Sequence, residues 1–159
     1  MALKGDRYEA MTDITFRMNE VAERGGVAVL STAGSGAALD QSVALVTYAA
    51  AASGTKPIGL LLGDMVNKDL TQTHLNFHKN EVQKGGKVTL LTDGWVVTDR
   101  IYPGATPAGG DVAYLAGSGY ITSVVDPVGG TAASPKVGRF YSSKDEDGYA
   151  KVYVKLPQV

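Results

Sequence analysis

The run Lys87-Val88-Thr89-Leu90-Leu91-Thr92-Asp93-Gly94-Trp95-Val96-Val97-Thr98 decides the fold. Two apolar, β-branched stretches flank an Asp-Gly pair. Both central positions of a tight two-residue turn need positive φ, which aspartate tolerates and glycine adopts without a Cβ penalty. The run predicts a β-hairpin, with strands over 87–92 and 95–98 and the turn at Asp93-Gly94. Working outward, the same texture recurs. Short apolar runs lie at Gly26–Leu30, Ser42–Ala49 and Ile58–Leu62, each bounded by glycine or polar residues. A second hairpin is expected from Asp111–Leu115 and Tyr120–Val124 around Ala116-Gly117-Ser118-Gly119. Further strands are expected over Val137–Ser142 and Tyr149–Leu156. In the last, Ala150, Val152, Val154 and Leu156 alternate with Tyr149, Lys151, Tyr153 and Lys155, a period of two. About eight or nine short strands separated by turn residues predict an all-β domain, either a small antiparallel barrel or β-tulip, or a sandwich.

Composition narrows the functional classes. The chain has 159 residues, 20 glycines, no cysteine and a formal net charge of -1. Without cysteine there is no disulfide scaffold, thiolate zinc site or cysteine nucleophile. A near-neutral charge argues against a nucleic-acid partner, which selects for a basic excess. The longest apolar runs fall far short of the roughly 20 residues of a membrane-spanning helix. The opening residues, Met1 to Arg7, are charged and lack a signal peptide's apolar core, so synthesis and assembly in a cytoplasm are expected.

Two segments depart from the β texture. Residues 1–24 concentrate charge, and their apolar residues fit neither period. Ile14, Phe16 and Met18 alternate as in a strand, whereas Met11, Ile14, Met18 and Val21 step by three and four as in a helix. This stretch reads as an extended N-terminal arm whose conformation depends on what it touches, or as a short surface helix. Residues 25–159 form the β domain. Within it, 65–84 is a polar excursion too sparse in apolar residues for a buried helix.

Catalytic signatures are scarce. His74 and His78 would share a helical face, and Glu81 would be a third ligand, but no glutamate stands where a zinc hydrolase holds its base. Surface hydrogen bonding explains the pair better than a metal. Asp145-Glu146-Asp147-Gly148 resembles part of a calcium loop without its distal glutamate, so a solvated turn is expected. Trp95 reads as a core or interface anchor. Tyr149 and Tyr153, with their lysine neighbours, form a second face of the last strand, which is solvated or meets a neighbouring subunit. The residues name no catalytic group, metal ligand or cofactor.

A resemblance adds to this reading. Gly63-Asp64-Met65-Val66-Asn67, Gly85-Gly86-Lys87-Val88, Gly110-Asp111-Val112-Ala113-Tyr114, Val137-Gly138-Arg139-Phe140 and Asp147-Gly148-Tyr149-Ala150-Lys151-Val152 occur in this order across residues 57–156. That order of phrases resembles the small head decoration, or cement, proteins of tailed bacteriophages. The resemblance implies a β-barrel or β-tulip with no enzymatic activity. It implies a homotrimer on the outer surface of the virion, stabilising the capsid by binding the major capsid protein. Residues 1–24 would be the contacting arm, with Tyr8, Met11, Ile14, Phe16 and Met18 as contact candidates. His74, Asn76 and His78 would be polar contacts. Another virion β protein, such as a tail-tube subunit, is the alternative, and a metal-dependent hydrolase using His74, His78 and Glu81 a weaker one.

Overall fold

The computed structural model describes residues 3–32, 44–64, 81–125 and 134–157. They form twelve strands: β1 Leu3–Asp13, β2 Arg17–Met18, β3 Ala22–Glu23, β4 Val27–Thr32, β5 Leu45–Thr47, β6 Pro57–Asp64, β7 Glu81–Val82, β8 Val88–Thr98, β9 Val112–Leu115, β10 Ile121–Thr122, β11 Lys136–Phe140 and β12 Ala150–Lys155. A 3-10 turn, Gly117–Gly119, joins β9 to β10. The protein is all-β. Ten strands make one sheet in the order β10-β9-β11-β12-β8-β6-β4-β5-β2, with β1 also on β8, while β3 and β7 pair separately. Among the described residues every ladder between strands is antiparallel except β2–β5.

The organiser is β8. It is eleven residues long and pairs with β1 from Leu90 to Thr98, with β12 from Asp93 to Thr98 and with β6 from Val88 to Leu91. A strand has two edges. With β1 along one, β6 and β12 follow each other along the other, and the sheet divides into two halves that fold over a shared core. Val27, Val29, Leu60, Leu62 and Leu91 from one half meet Ala113, Leu115, Phe140, Val152 and Val154 from the other. A smaller cluster lies on the opposite face of β4, β6 and β8, built from Ala28, Leu61, Val88 and Leu90 and covered by Met18, Ala22, Val46 and Val82. Strands buried on both faces need apolar side chains at successive positions. Hence Val27-Ala28-Val29 and Leu60-Leu61-Leu62 are continuous, whereas β12, buried on one face, alternates.

The path does not close into a barrel. The 3-10 turn before β10 reaches the residues after β5, where the Ser118 N–H donates to the Ala49 carbonyl at 2.7 Å, but that is one bond and not a ladder. A sandwich-like arrangement results. A polar latch ties the halves. The fully buried Thr98 hydroxyl donates to the Gly25 carbonyl at 2.9 Å and accepts the Arg100 N–H at 3.1 Å. The Arg100 guanidinium pairs with Glu23 at 3.1 Å and lies over the Tyr48 and Tyr120 rings. The Tyr48 hydroxyl donates to the Glu23 carbonyl and accepts the Gly26 N–H. Desolvation pushes that phenol's pKa well above its ordinary value, so it serves as a neutral donor.

The hairpin expected at Asp93-Gly94 is absent. Val88–Thr98 is one continuous strand. Leu91 and Val96 both face the larger core although five residues apart, so the strand shifts phase between them. Gly94, at φ 150°, stands at that shift, and opposite it the β1 register slips between Glu9 and Met11. A Cβ on Gly94 would lie only 2.0 Å from the Tyr8 carbonyl oxygen. The glycine is present because β1 crosses its strand there, not because the chain turns back.

The second expected hairpin, β9–β10, forms as read. The stretch 1–24 holds β1, β2 and β3, so most of the expected arm is hydrogen-bonded into the two sheets. Of the polar excursion 65–84, residues 65–80 lie outside the described residues; Glu81–Val82 pairs with β3.

Candidate interaction face

Residues directly opposite in adjacent strands share a face of the sheet. Tyr8 in β1 is opposite Trp95 in β8, Trp95 is opposite Tyr153 in β12, Tyr153 is opposite Arg139 in β11, and Arg139 is opposite Val112 in β9. One row of side chains therefore runs across five strands on the outer face. The core positions beside this row, Val96, Val152 and Phe140, point the other way and are fully buried. Each strand's alternation places its member: Trp95 next to Val96, Tyr153 between Val152 and Val154, Arg139 before Phe140.

The face is aromatic and basic. Lys151, two residues from Tyr153 and on the same side, sets its ammonium 3.5 Å above the Trp95 ring. Tyr141 and Tyr153 stand with ring centroids 5.7 Å apart. The Tyr153 hydroxyl donates to the Asp93 carboxylate, which fixes the ring and, as the main cause, raises the phenol's pKa. Beyond Tyr153 the face opens into a groove of about 340 Å³ lined by Val112, Lys136, Gly138, Arg139, Tyr153 and Lys155. Gly138 forms part of its floor. A Cβ there would lie 1.8 Å from the Tyr153 carbonyl oxygen, so β11 and β12 come this close only without a side chain. Arg139 anchors one nitrogen on the Gly110 carbonyl at 3.0 Å and keeps its remaining donors at the groove. Four cations, Lys136, Arg139, Lys151 and Lys155, and the carboxylate of Asp93 make an arrangement that attracts acidic groups and gives their apolar neighbours rings to rest on.

The expected contact residues are spread between surface and core. Tyr8 is 56% and Met11 63% exposed, both on β1. Ile14 and Phe16 are half-buried, and Phe16 packs on the smaller cluster. Met18 is fully buried in that cluster, so it has no surface to offer a partner, a correction to its place among the contact candidates. His74, Asn76 and His78 lie outside the described residues. Among the described residues no group of three or more His, Cys, Asp or Glu side chains could hold a metal ion. At the acidic turn, the Asp145 carboxylate accepts the N–H groups of Asp147 and Tyr149 at 3.0 and 2.8 Å. Those bonds, the Tyr149 one foremost, lower its pKa, and the geometry is that of a closed turn.

Sequence reasoning found the outward face of β12 but missed its continuation. Trp95, Arg139 and Lys136 join Tyr153 only through cross-strand register, which no local pattern encodes.

No protein-family model matches this chain, and no curated protein matches it. Fold and face together define a sandwich-like all-β protein with an aromatic and basic face on one side of its sheet.

Proposed function

We propose that this chain is a structural virion protein that decorates the outer surface of a tailed-phage capsid and stabilises it by binding the major capsid protein. The observation that carries this reading is the outer row Tyr8–Trp95–Tyr153–Arg139 with its basic groove. It is a face of rings and cations laid over strands, suited to an acidic protein surface. The phrases quoted from residues 57–156 support the same reading. Many copies around a shell would turn a modest contact per copy into a large total effect.

The test is to add purified protein to capsids that lack it. The expected result is saturable binding and a higher temperature of capsid disruption, both lost in the variant Lys136→Glu/Arg139→Glu. Absence of binding overturns the reading. Growth of the free protein into long tubes on concentration would favour the tail-tube alternative instead.

A further inference from the structure

We propose that β1 is a self-pairing edge, on which a second copy of this chain adds its own β1 antiparallel about a two-fold axis through Tyr8. Three observations lead there. First, β1 pairs only with β8, so its other edge carries no strand among the described residues. Second, every residue from Gly5 to Thr12 is exposed, so β1 is long yet buried on neither face. Such an edge presents unpaired N–H and C=O groups and is a template for another strand. Third, its charges are self-complementary about Tyr8, and also about Gly5, where Lys4 would face Asp6, but Gly5 lies in the irregular stretch between Leu3 and Arg7. The Arg7 Nε lies 2.6 Å from the Glu9 carboxylate within one chain.

Symmetry limits the register. A two-fold axis perpendicular to a sheet preserves its faces, so the residue on the axis faces its own copy, and partners on either side are equidistant from it. Axes through Asp6, Arg7 or Glu9 set like charges against each other, which is unfavourable. An axis through Tyr8 sets Arg7 opposite Glu9 of the second copy and Glu9 opposite its Arg7. The four charges then alternate around a square, and each copy's internal pair is retained. The run Arg7–Glu9 is also the part of β1 with continuous register against β8, with slips on both sides of it. Bulges and charges ordinarily blunt an edge. Here the slips leave the central stretch regular, and its charges match themselves. Pairing would also join the outer rows of the two copies, Tyr153–Trp95–Tyr8 meeting Tyr8–Trp95–Tyr153.

The contact joins copies in twos. A three-fold grouping, as the resemblance implies, would arise at another surface. The inference does not depend on shell binding, and its test reads neither capsids nor binding to them.

The chain has no cysteine, so cross-linking starts from a clean background. Only the residue on a two-fold axis can form a disulfide with its own copy. Directly opposed residues of an antiparallel pair have Cα atoms about 4.5–5.5 Å apart, within disulfide reach. The single variants Tyr8→Cys, Gly5→Cys, Ala10→Cys and Thr12→Cys are oxidised under identical dilute conditions and sized under denaturing conditions. Tyr8→Cys should give a covalent dimer at least about tenfold faster than the other three, the scale on which opposed and randomly colliding thiols separate. Adding Arg7→Glu should slow it severalfold, and adding Glu9→Arg to that variant should restore it. Similar rates at all four positions, preference for Ala10, or indifference to the charge reversals would overturn the proposal. Circular dichroism of each variant confirms that the domain stays folded, which exposed positions on β1 permit.

Discussion

Gly94→Ala is the perturbation that most directly tests how β1 is held. An alanine at φ 150° occupies backbone space open essentially to glycine, at about 1–3 kcal/mol. Its methyl would also stand 2.0 Å from the Tyr8 carbonyl oxygen and 3.1 Å from Leu91 Cδ1. An ordinary carbon–oxygen approach is about 3.3 Å or more, so β1 must retreat by more than about 1 Å. Overpacking of this kind costs about 1–3 kcal/mol where the neighbours cannot yield. β1, however, can yield. Its one fully buried side chain is Leu3, worth about 1.5–3 kcal/mol, and each bond of its ladder adds about 0.5–1.5 kcal/mol. Carrying both the strain and the clash costs about 2–6 kcal/mol, and retreat of the exposed stretch of β1 should hold the loss to the lower half of that range. Two measurements read it: urea unfolding for the global loss, and amide hydrogen exchange for β1. The expected pattern is a lower unfolding midpoint with amides of 7–12 unprotected while β11 and β12 stay protected. Gly5→Ala is the control on the same strand, since nothing lies within 4 Å of a Cβ there, and it should change stability by no more than about 0.5 kcal/mol. Gly94→Ala protein with an unchanged unfolding free energy and a protected β1 would refute the close crossing.

Three further outcomes follow from the packing. Thr98→Val keeps the shape but leaves the buried Gly25 carbonyl and Arg100 N–H without their partner, so unfolding free energy should fall by about 1–3 kcal/mol, with Thr98→Ser recovering most of it. Phe140→Ala in the larger cluster should cost about 3–5 kcal/mol and Met18→Ala in the smaller one about 2–5 kcal/mol; because they occupy separate clusters, the double variant's loss should equal the sum within about 0.5 kcal/mol. Asp145 is stabilised as the carboxylate by the turn, so its contribution is present above the ordinary aspartate value of 3.8 and is lost as pH falls through its lowered folded value. The Asp147 and Tyr149 amide resonances should therefore report a titration below the ordinary aspartate value, and Asp145→Asn should abolish it.

How legible each element was depended on how it is buried. β12 is buried on one face, so its alternation is in the sequence and its span was readable almost to the residue. β4 and β6 are buried on both faces, and a short continuous apolar run bounded by glycine marks them. The stretch 1–24 was ambiguous for a physical reason. β1 from Gly5 to Thr12 is exposed on both faces, so no period exists to be read there. Part of the apolar pattern of the stretch comes from Phe16 and Met18, which serve the smaller cluster, whereas the resemblance assigns them to a contacting arm. The outer row was invisible because its members, Tyr8, Trp95, Tyr153 and Arg139, come from four strands and meet only through register.

The misreading of Asp93-Gly94 and the exposure of β1 have one cause. An Asp-Gly pair signals a turn because glycine permits a positive φ, yet the same freedom permits a strand to shift phase while another backbone crosses it. Here the crossing backbone is β1 at Tyr8. Had Asp93-Gly94 closed a hairpin, β8 would have ended there, and no strand would carry β6 and β12 in succession along one edge. Because it continues, β8 has a full second edge, which β1 covers from Leu90 to Thr98. β1 contributes little to the core beyond Leu3, so its sequence is free of packing constraints from Gly5 to Thr12. Freed positions on a sheet edge ordinarily drift to scattered polar residues. Arg7, Tyr8 and Glu9 instead place opposite charges symmetrically about a ring that lies in register with Trp95 and Tyr153. A strand exposed on both faces from Gly5 to Thr12, held beside a glycine that its crossing requires, is the feature that the proposed pairing of two copies would explain.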